Sequence, residues 1–551
     1  MAWDEMLPWV TRYGHSLREL QLPCLVLGFH AAARGLLRRL WMKLLAIYLR
    51  TAVGAAARST CVVLAALALF GCGSSAARDV GPSLQVVGES AGLRLEDPVA
   101  TSSPWFDGQR VTLVGARGET LGILVQHRDG APTSLSIEGT HVRGYAVDAF
   151  RVRRPSTAMY GGSRGTGTYV DGLTSAAQPA SDPAYFEISI PRTAASGVRM
   201  GELVVGPRRV PVVLAVAAVT LPESSPRVWA YGDPRELAWA AGATGDPPRD
   251  VPTAAERACA SVFRERGVLL SPDMPLAWWP TRKDTLAGIR DIPVVIPKDP
   301  ASAAEAVRGW IAATRGTGQV PFTIPIDEPR TPEARERVRA LAAAVRAAGG
   351  GPDTFRFAVT DQPRPEYGDL VDLYIDPKTP ANGAWTYNGT PPRAGSMVLD
   401  AAAPGPRTWG WIAFRYRVPT WYVWDALYWH DRHNRRGRPL PGRSSVGVRD
   451  PVSFDDGEDH GNLDGVLALP SLDGTTCRPT LRLAALHRGQ QDRALLELAA
   501  RCAPDATARI AEALVPRALG DAPNKGPVAW STNDADWELA RRKLLVLASC
   551  D

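Results

Sequence analysis

The chain has 551 residues, 45% hydrophobic and 22% charged, with 51 Gly, 47 Pro, 17 Trp and 7 Cys. That balance fits a globular protein with core enough for two or three domains, and it excludes a disordered, collagenous or disulfide-scaffold chain. The net charge of +6 raises the question of nucleic acid or an anionic membrane, but residues 1–71 hold eight basic against three acidic residues, so five of the six charges lie there. The rest is close to neutral and offers no basic patch for nucleic acid.

Basic residues from Arg34 to Arg58 precede the apolar run CVVLAALALF at 61–70. The run is too short to span a bilayer and has the length of a signal-peptide h-region. Leu69, Phe70, Gly71 and Cys72 together resemble the bacterial lipobox. That resemblance implies cleavage before Cys72, a diacylglycerol on its thiol, and a membrane-anchored place in the cell envelope. An ordinary secretory signal with an incidental cysteine is the alternative reading, and Met42 is a candidate start. Residues 1–71 therefore read as a leader and 72–90 as a linker. Cys259, Cys477, Cys502 and Cys550 show no metal-binding spacing. In an exported chain they read either as disulfides, with Cys477 to Cys502 the first pairing to try, or as free buried thiols.

From 91 to 223 short β-rich runs alternate with Gly, Pro, Ser and Asp turns: RVTLVGA, TLGILVQ, TSLSIEG, YFEISIP, GELVVG and RRVPVVLAVAAVTLP. This predicts an all-β antiparallel sandwich. The Gly-rich piece 160–172 follows no strand-then-helix context and reads as a surface loop rather than a phosphate cradle.

From 224 to 500 strands alternate with helices. Strands are predicted at 228–232, 267–271, 292–297, 321–329, 355–360, 370–377, 383–389 and 421–429, and helical runs such as TPEARERVRALAAAVRAAG lie between them. Eight such units predict an α/β fold of the TIM type, a (β/α)8 barrel whose chemistry sits at the strand C-terminal ends. Residues 501–551 read as a helical C-terminal extension.

The leading site candidates are Asp327 and Glu328, followed by Pro329, at the end of the fourth predicted barrel strand. Two adjacent carboxyls there can divide the work between a protonated acid and an anion. The late strands carry many Trp and Tyr residues, whose faces stack on sugar rings and whose edges hydrogen-bond.

On these residues the chain resembles glycoside hydrolase family 123, the β-N-acetylgalactosaminidase family, over roughly residues 200–500. The family's Asp-Glu-Pro is matched by Asp327, Glu328 and Pro329, and its Trp-x-Tyr strand by Trp385 and Tyr387. Its Arg and Trp four apart are matched by Arg407 and Trp411, and its last-strand aromatics by Trp424, Tyr428 and Trp429. Val423 and Leu427 stand where the family has Tyr and Asn, and the acidic, Tyr-rich run of its late helix is here Gln490, Gln491, Asp492 and Arg493.

The resemblance implies a retaining exo-β-N-acetylhexosaminidase, with β-GalNAc the first choice of sugar, working by substrate-assisted catalysis outside the usual two-carboxylate scheme. Glu328 would be general acid/base and Asp327 would orient the acetamido group. Trp385, Tyr387, Arg407, Trp424, Tyr428 and Trp429 would bind substrate, a glycan or glycoconjugate, and no cofactor or metal is called for. The departures keep two alternatives open: a glycan-binding protein that has lost catalysis on the same fold, or a glycosidase for another sugar. His430, Asp431 and His433 lack an identifiable third metal ligand, the segment 454–459 lacks the calcium-loop pattern, and the Arg-rich stretch 432–443 reads as charged surface.

Overall fold

The computed structural model describes residues 84–100, 102–127, 130–223, 226–376, 384–430 and 451–550. The leader, Cys72, most of the linker, Asp431 and the whole stretch 432–443, His433 included, lie outside the described residues.

Nine strands build the N-terminal layers. They are β1 (Gln85–Gly88), β2 (Val111–Arg117), β3 (Thr120–Gln126), β4 (Thr133–Ile137), β5 (His141–Val152), β6 (Gly167–Ser175), β7 (Ala184–Ser189), β8 (Gly197–Val205) and β9 (Arg208–Thr220). One sheet runs β1-β3-β7-β5-β6 and the other β2-β9-β8-β4. Val86, Ile123, Phe186 and Ile188 of the first meet Leu113, Leu203, Val212 and Leu214 of the second in one buried cluster, as two facing inner surfaces require. The pairing is antiparallel except between β2 and β9, where Val111 to Gly115 run parallel to Val212 to Val216.

Three strands differ from the sequence expectation: residues 85–88, read as linker, form β1 and pair with β3, and two more were missed. β5 has Arg, Asp and Gly scattered through its 12 residues, which hides its period. β6 takes over the second half of the Gly-rich piece: Gly161, Gly162 and Gly165 have positive φ, but from Gly167 the chain pairs with β5 and buries Tyr169, Val170 and Leu173. A glycine is required at Gly172, where a Cβ would sit 2.6 Å from Leu469 and 2.7 Å from Asp148.

Eight parallel strands follow: β10 (Val228–Tyr231), β11 (Val268–Ser271), β12 (Asp291–Pro293), β13 (Val320–Thr323), β14 (Arg356–Val359), β15 (Leu373–Tyr374), β16 (Thr386–Tyr387) and β17 (Trp421–Val423). They form two four-stranded arcs, β12-β13-β14-β15 and β11-β10-β17-β16. One parallel bridge links the arcs at each seam, Met274 with Val294 and Ile375 with Trp385. Interspersed helices, α1 (Pro234–Ala240), α2 (Ala254–Arg264), α3 (Trp279–Arg282), α4 (Pro300–Thr314), α5 (Pro332–Ala347) and α6 (Thr408–Arg415), complete a (β/α)-barrel-like core preceded by the β-rich layers.

The strands are shorter than their apolar runs. After Thr323 the run Ile324 to Ile326 leaves the ladder, since Pro325 and Pro329 have no N–H to donate. After Val423 the chain peels off β17, and Leu427 bridges Val466 instead. The helices are set locally: Thr331 caps α5 by accepting from the Ala334 N–H, and Ala334, Val338, Leu341, Ala342 and Val345 bury one stripe of it.

Helices α7 (Leu481–Cys502), α8 (Pro504–Leu514) and α9 (Asp534–Leu547) end the chain. They lock the β-rich layers to the barrel through buried ion pairs. Arg488 meets Glu89 (2.6 Å) and Glu119 (2.7 Å), and Arg541 also holds Glu119. Arg407 meets Asp492 (2.8 Å) and Asp534 (3.0 Å). The cysteine pairing expected from sequence is corrected: Cys477 bonds Cys259, with Cα atoms 5.1 Å apart, and Cys502 bonds Cys550, at 5.7 Å. The sequence separation of 218 between Cys259 and Cys477 left no local trace of the first bond. No described helix is long and apolar enough to cross a membrane.

Candidate active site

The loop from β13 to α5 carries Asp327 and Glu328 into a cavity of about 780 Å³ at the C-terminal end of the strands. Glu328 adopts φ 41°, a left-handed conformation that a non-glycine residue holds only when its surroundings impose it. Thr360, just past the end of β14, does so. Its Oγ1 accepts from the Glu328 N–H (2.6 Å) and donates to Asp327 Oδ1 (2.7 Å), which fixes one carboxylate and the backbone of the other together.

Glu328 is held from two sides. The Tyr387 hydroxyl donates to Oε1 at 2.8 Å, and the exposed Arg330 pairs with Oε2. Burial first, and then the negative charge of Glu328, push the Tyr387 hydroxyl well above the ordinary phenol value, so it stays a donor.

Aromatic side chains line the walls: Tyr231, Tyr387, Trp421, Tyr422 and Trp424, with Tyr160 reaching in from the β-rich layers. Tyr422 stacks on Trp229 at 4.4 Å. Trp424 is braced by Tyr428 behind it (5.1 Å) and by Phe454 at its edge (6.2 Å). Asn388, at φ 50°, ties the two late strands by accepting from the Trp424 N–H at Oδ1 (3.0 Å) and from Trp421 Nε1 at its carbonyl (2.6 Å).

Two further carboxyls belong to the cavity. Asp464 is buried beside Trp424 and Tyr160, and that burial raises its carboxyl to about 6. Asp273, two residues past β11, is open to the cavity water but has protein on nearly every side, and the loss of bulk solvent raises it to about 7.

Of the residues singled out in the sequence, the cavity therefore brings together Asp327, Glu328, Tyr387 and Trp424. The others lie elsewhere. Trp385 is buried in the barrel edge-on to Phe322 (4.9 Å), and Trp429 is buried with its indole N–H on the Ala468 carbonyl (2.8 Å). Tyr428 is buried behind Trp424, and Arg407 belongs to the ion-pair cluster under α7 and α9. Val423 and Leu427 are fully buried in the core. His430 Nδ1 lies 2.7 Å from Glu236. Segment 454–459 is a hairpin turn in which Asp456 accepts from the Glu458 and Asp459 amides. Among the described residues no group of three or more His, Cys, Asp or Glu could hold a metal ion.

Thr360 and Asp273 could have been found from sequence, since both follow a strand end in a barrel pattern. Tyr160 and Asp464 could not, because they come from segments with no local signal.

No family model matches the sequence, and no curated protein does. Among solved structures the fold is similar to that of a family 123 glycoside hydrolase from Clostridium perfringens, with TM-score 0.56 and 12% identity over 84% of this chain and 97% of that one. A glycosyl hydrolase family 2 member from Bacteroides cellulosilyticus (TM-score 0.23, 10% identity, 56% and 44% covered) and a termite-gut GH10 xylanase (TM-score 0.21, 7% identity, 69% and 99% covered) are likenesses too weak to define a fold. The chain thus has the fold of a family 123 glycoside hydrolase at a distance where sequence similarity has nearly vanished.

Proposed function

We propose that the protein is a glycoside hydrolase, a retaining exo-β-N-acetylhexosaminidase acting on terminal β-GalNAc. The observation that carries this reading is the adjacent pair Asp327 and Glu328, bound through Thr360 and placed in an aromatic-walled cavity at the strand ends. Adjacency suits a substrate-assisted reaction, because the glycosidic oxygen and the acetamido nitrogen are neighbours on the sugar.

In the first step Glu328 gives its proton to the glycosidic oxygen, the bond from C1 to the aglycone breaks, and the substrate's acetamido carbonyl oxygen bonds to C1. Asp327 accepts the acetamido N–H and stabilises the positive oxazolinium. In the second step Glu328 takes a proton from water, whose oxygen bonds to C1 as the bond to the acetamido oxygen breaks, and the configuration is retained. Tyr387 holds Oε1, so Oε2 is the oxygen that carries the proton, with Arg330 leaving it as substrate enters. Trp424 and Tyr422 offer the sugar its stacking surfaces. The lipobox-like Cys72 supports an anchor in the cell envelope, where glycoconjugates are met.

The test is hydrolysis of aryl β-GalNAc, β-GlcNAc and β-Gal glycosides by wild type, Asp327→Asn and Glu328→Gln. Turnover of the acetamido sugars alone, falling about a thousandfold in both variants, is expected. Equal turnover in all three proteins would sink the reading, and binding without turnover would favour a glycan-binding protein.

A further inference from the structure

Asp273 is a carboxyl without a task in the chemistry above. It sits in the segment Ser271-Pro272-Asp273-Met274-Pro275, between two prolines that restrict the backbone on either side. Met274 anchors that segment to the chain leaving β12: its N–H donates to the Pro293 carbonyl (3.3 Å), and its own carbonyl accepts from the Val295 N–H (3.0 Å). The Gly232 N–H donates to the Ser271 carbonyl on the other side (3.4 Å). The backbone of Asp273 is therefore fixed before any ligand arrives.

The position has a geometric meaning. β11 and β13 are alternate strands separated by β12, and inward-facing residues of one layer come from alternate strands. Asp273 therefore shares the cavity with Asp327 and Glu328 but stands on another wall. Tyr422 lines the same cavity as Asp273 and Asp327, so an aromatic ring is shared by the two acidic walls. Among the described residues nothing donates a hydrogen bond to the Asp273 carboxyl, which is exposed to the cavity. The carboxyl is therefore reachable by the donors of a bound ligand. A carboxylate accepts two hydrogen bonds side by side, and adjacent hydroxyls of a sugar donate two side by side.

We propose that Asp273 is a specificity-determining residue of this cavity, accepting two neighbouring hydroxyls of the terminal sugar while that sugar stacks on the aromatic wall. This rests on the glycosidase reading above. The role is recognition: Asp273 takes no part in the proton transfers, and it selects sugars by the orientation of the hydroxyls it can reach.

The experiment measures binding apart from turnover. Free GalNAc, GlcNAc and the 3-deoxy and 4-deoxy analogues of GalNAc are titrated into wild type, Asp273→Asn and Glu328→Gln, following tryptophan fluorescence with calorimetry as a second readout, and melting curves check that each variant is folded. Asp273→Asn is expected to weaken GalNAc about tenfold to a hundredfold. It should also erase the difference between GalNAc and the deoxy sugar lacking the recognised hydroxyl. Glu328→Gln, whatever its overall affinity, should keep the difference between GalNAc and the deoxy sugar, because Asp273 is intact. Unchanged sugar affinity in folded Asp273→Asn would overturn the proposal, as would a wild type that binds none of the four sugars. Sugar binding that depends on Asp273 in a protein that hydrolyses no aryl glycoside would sink the glycosidase reading alone.

Discussion

The Tyr387 hydroxyl lies 2.8 Å from Oε1 of Glu328 and donates to it. β16, which supplies Tyr387, and the loop after β13 meet over the cavity, so this bond spans the site. Tyr387→Phe removes one charge-assisted donor from the carboxylate while keeping the ring. Hydrolysis of an acetamido glycoside should fall about tenfold in kcat/KM. The melting temperature should stay within a degree or two, and a variant with full activity would show that the bond does not serve the reaction.

Arg407 tests whether a residue singled out by resemblance acts on substrate or on stability. It is fully buried between Asp492 and Asp534, and α6, α7 and α9 meet there. Arg407→Ala leaves two buried carboxylates without their cation and should cost about 3–5 kcal/mol of stability. Chemical denaturation checks this. A raised KM with an unchanged denaturation midpoint would return Arg407 to the site.

The disulfides are open to direct mapping. Peptide analysis under non-reducing conditions should find Cys259 joined to Cys477 and Cys502 joined to Cys550. Replacing Cys259 and Cys477 by Ser should cost about 2–5 kcal/mol, since that bond closes a long loop of the unfolded chain. A peptide joining Cys477 to Cys502 would contradict the pairing.

Asp464 gives a pH prediction. Its carboxyl is raised from 3.8 to about 6, chiefly by burial, against the charge of Arg482. The native state holds this proton in a range where the unfolded chain has released it. The contribution to stability is therefore full below about pH 4 and is lost as pH rises to about 6. Asp464→Asn, which never ionises, should raise the melting temperature relative to wild type at pH 7.5 and not at pH 4. A gain of the same size at both pH values would show that the carboxyl is not raised.

Much of the architecture was legible in the sequence because strands and helices here declare themselves locally. All eight barrel strands lie where apolar runs predicted them, and local residues cap the helices, Thr331 for α5 and Asp299 for α4. What escaped was pattern masked by composition or decided at a distance. β5 and β6 were hidden by Arg, Asp and Gly, and the strand ends were overdrawn because apolar runs continue past the last ladder bond.

At the site the same division holds. The sequence by itself determined which carboxylates stand at a strand end, since Asp327 and Glu328 follow an apolar strand and precede a Pro and a helix cap. It also determined that aromatic residues crowd the last strands. Only the tertiary structure decided which aromatics face the cavity, because Trp424 and Trp429 share one short segment while one lines the wall and the other is core. Only the tertiary structure brought Tyr160 and Asp464 to the acid pair. A sequence records period and order along the chain, but those side chains meet through barrel curvature and packing between layers, which depend on every strand at once.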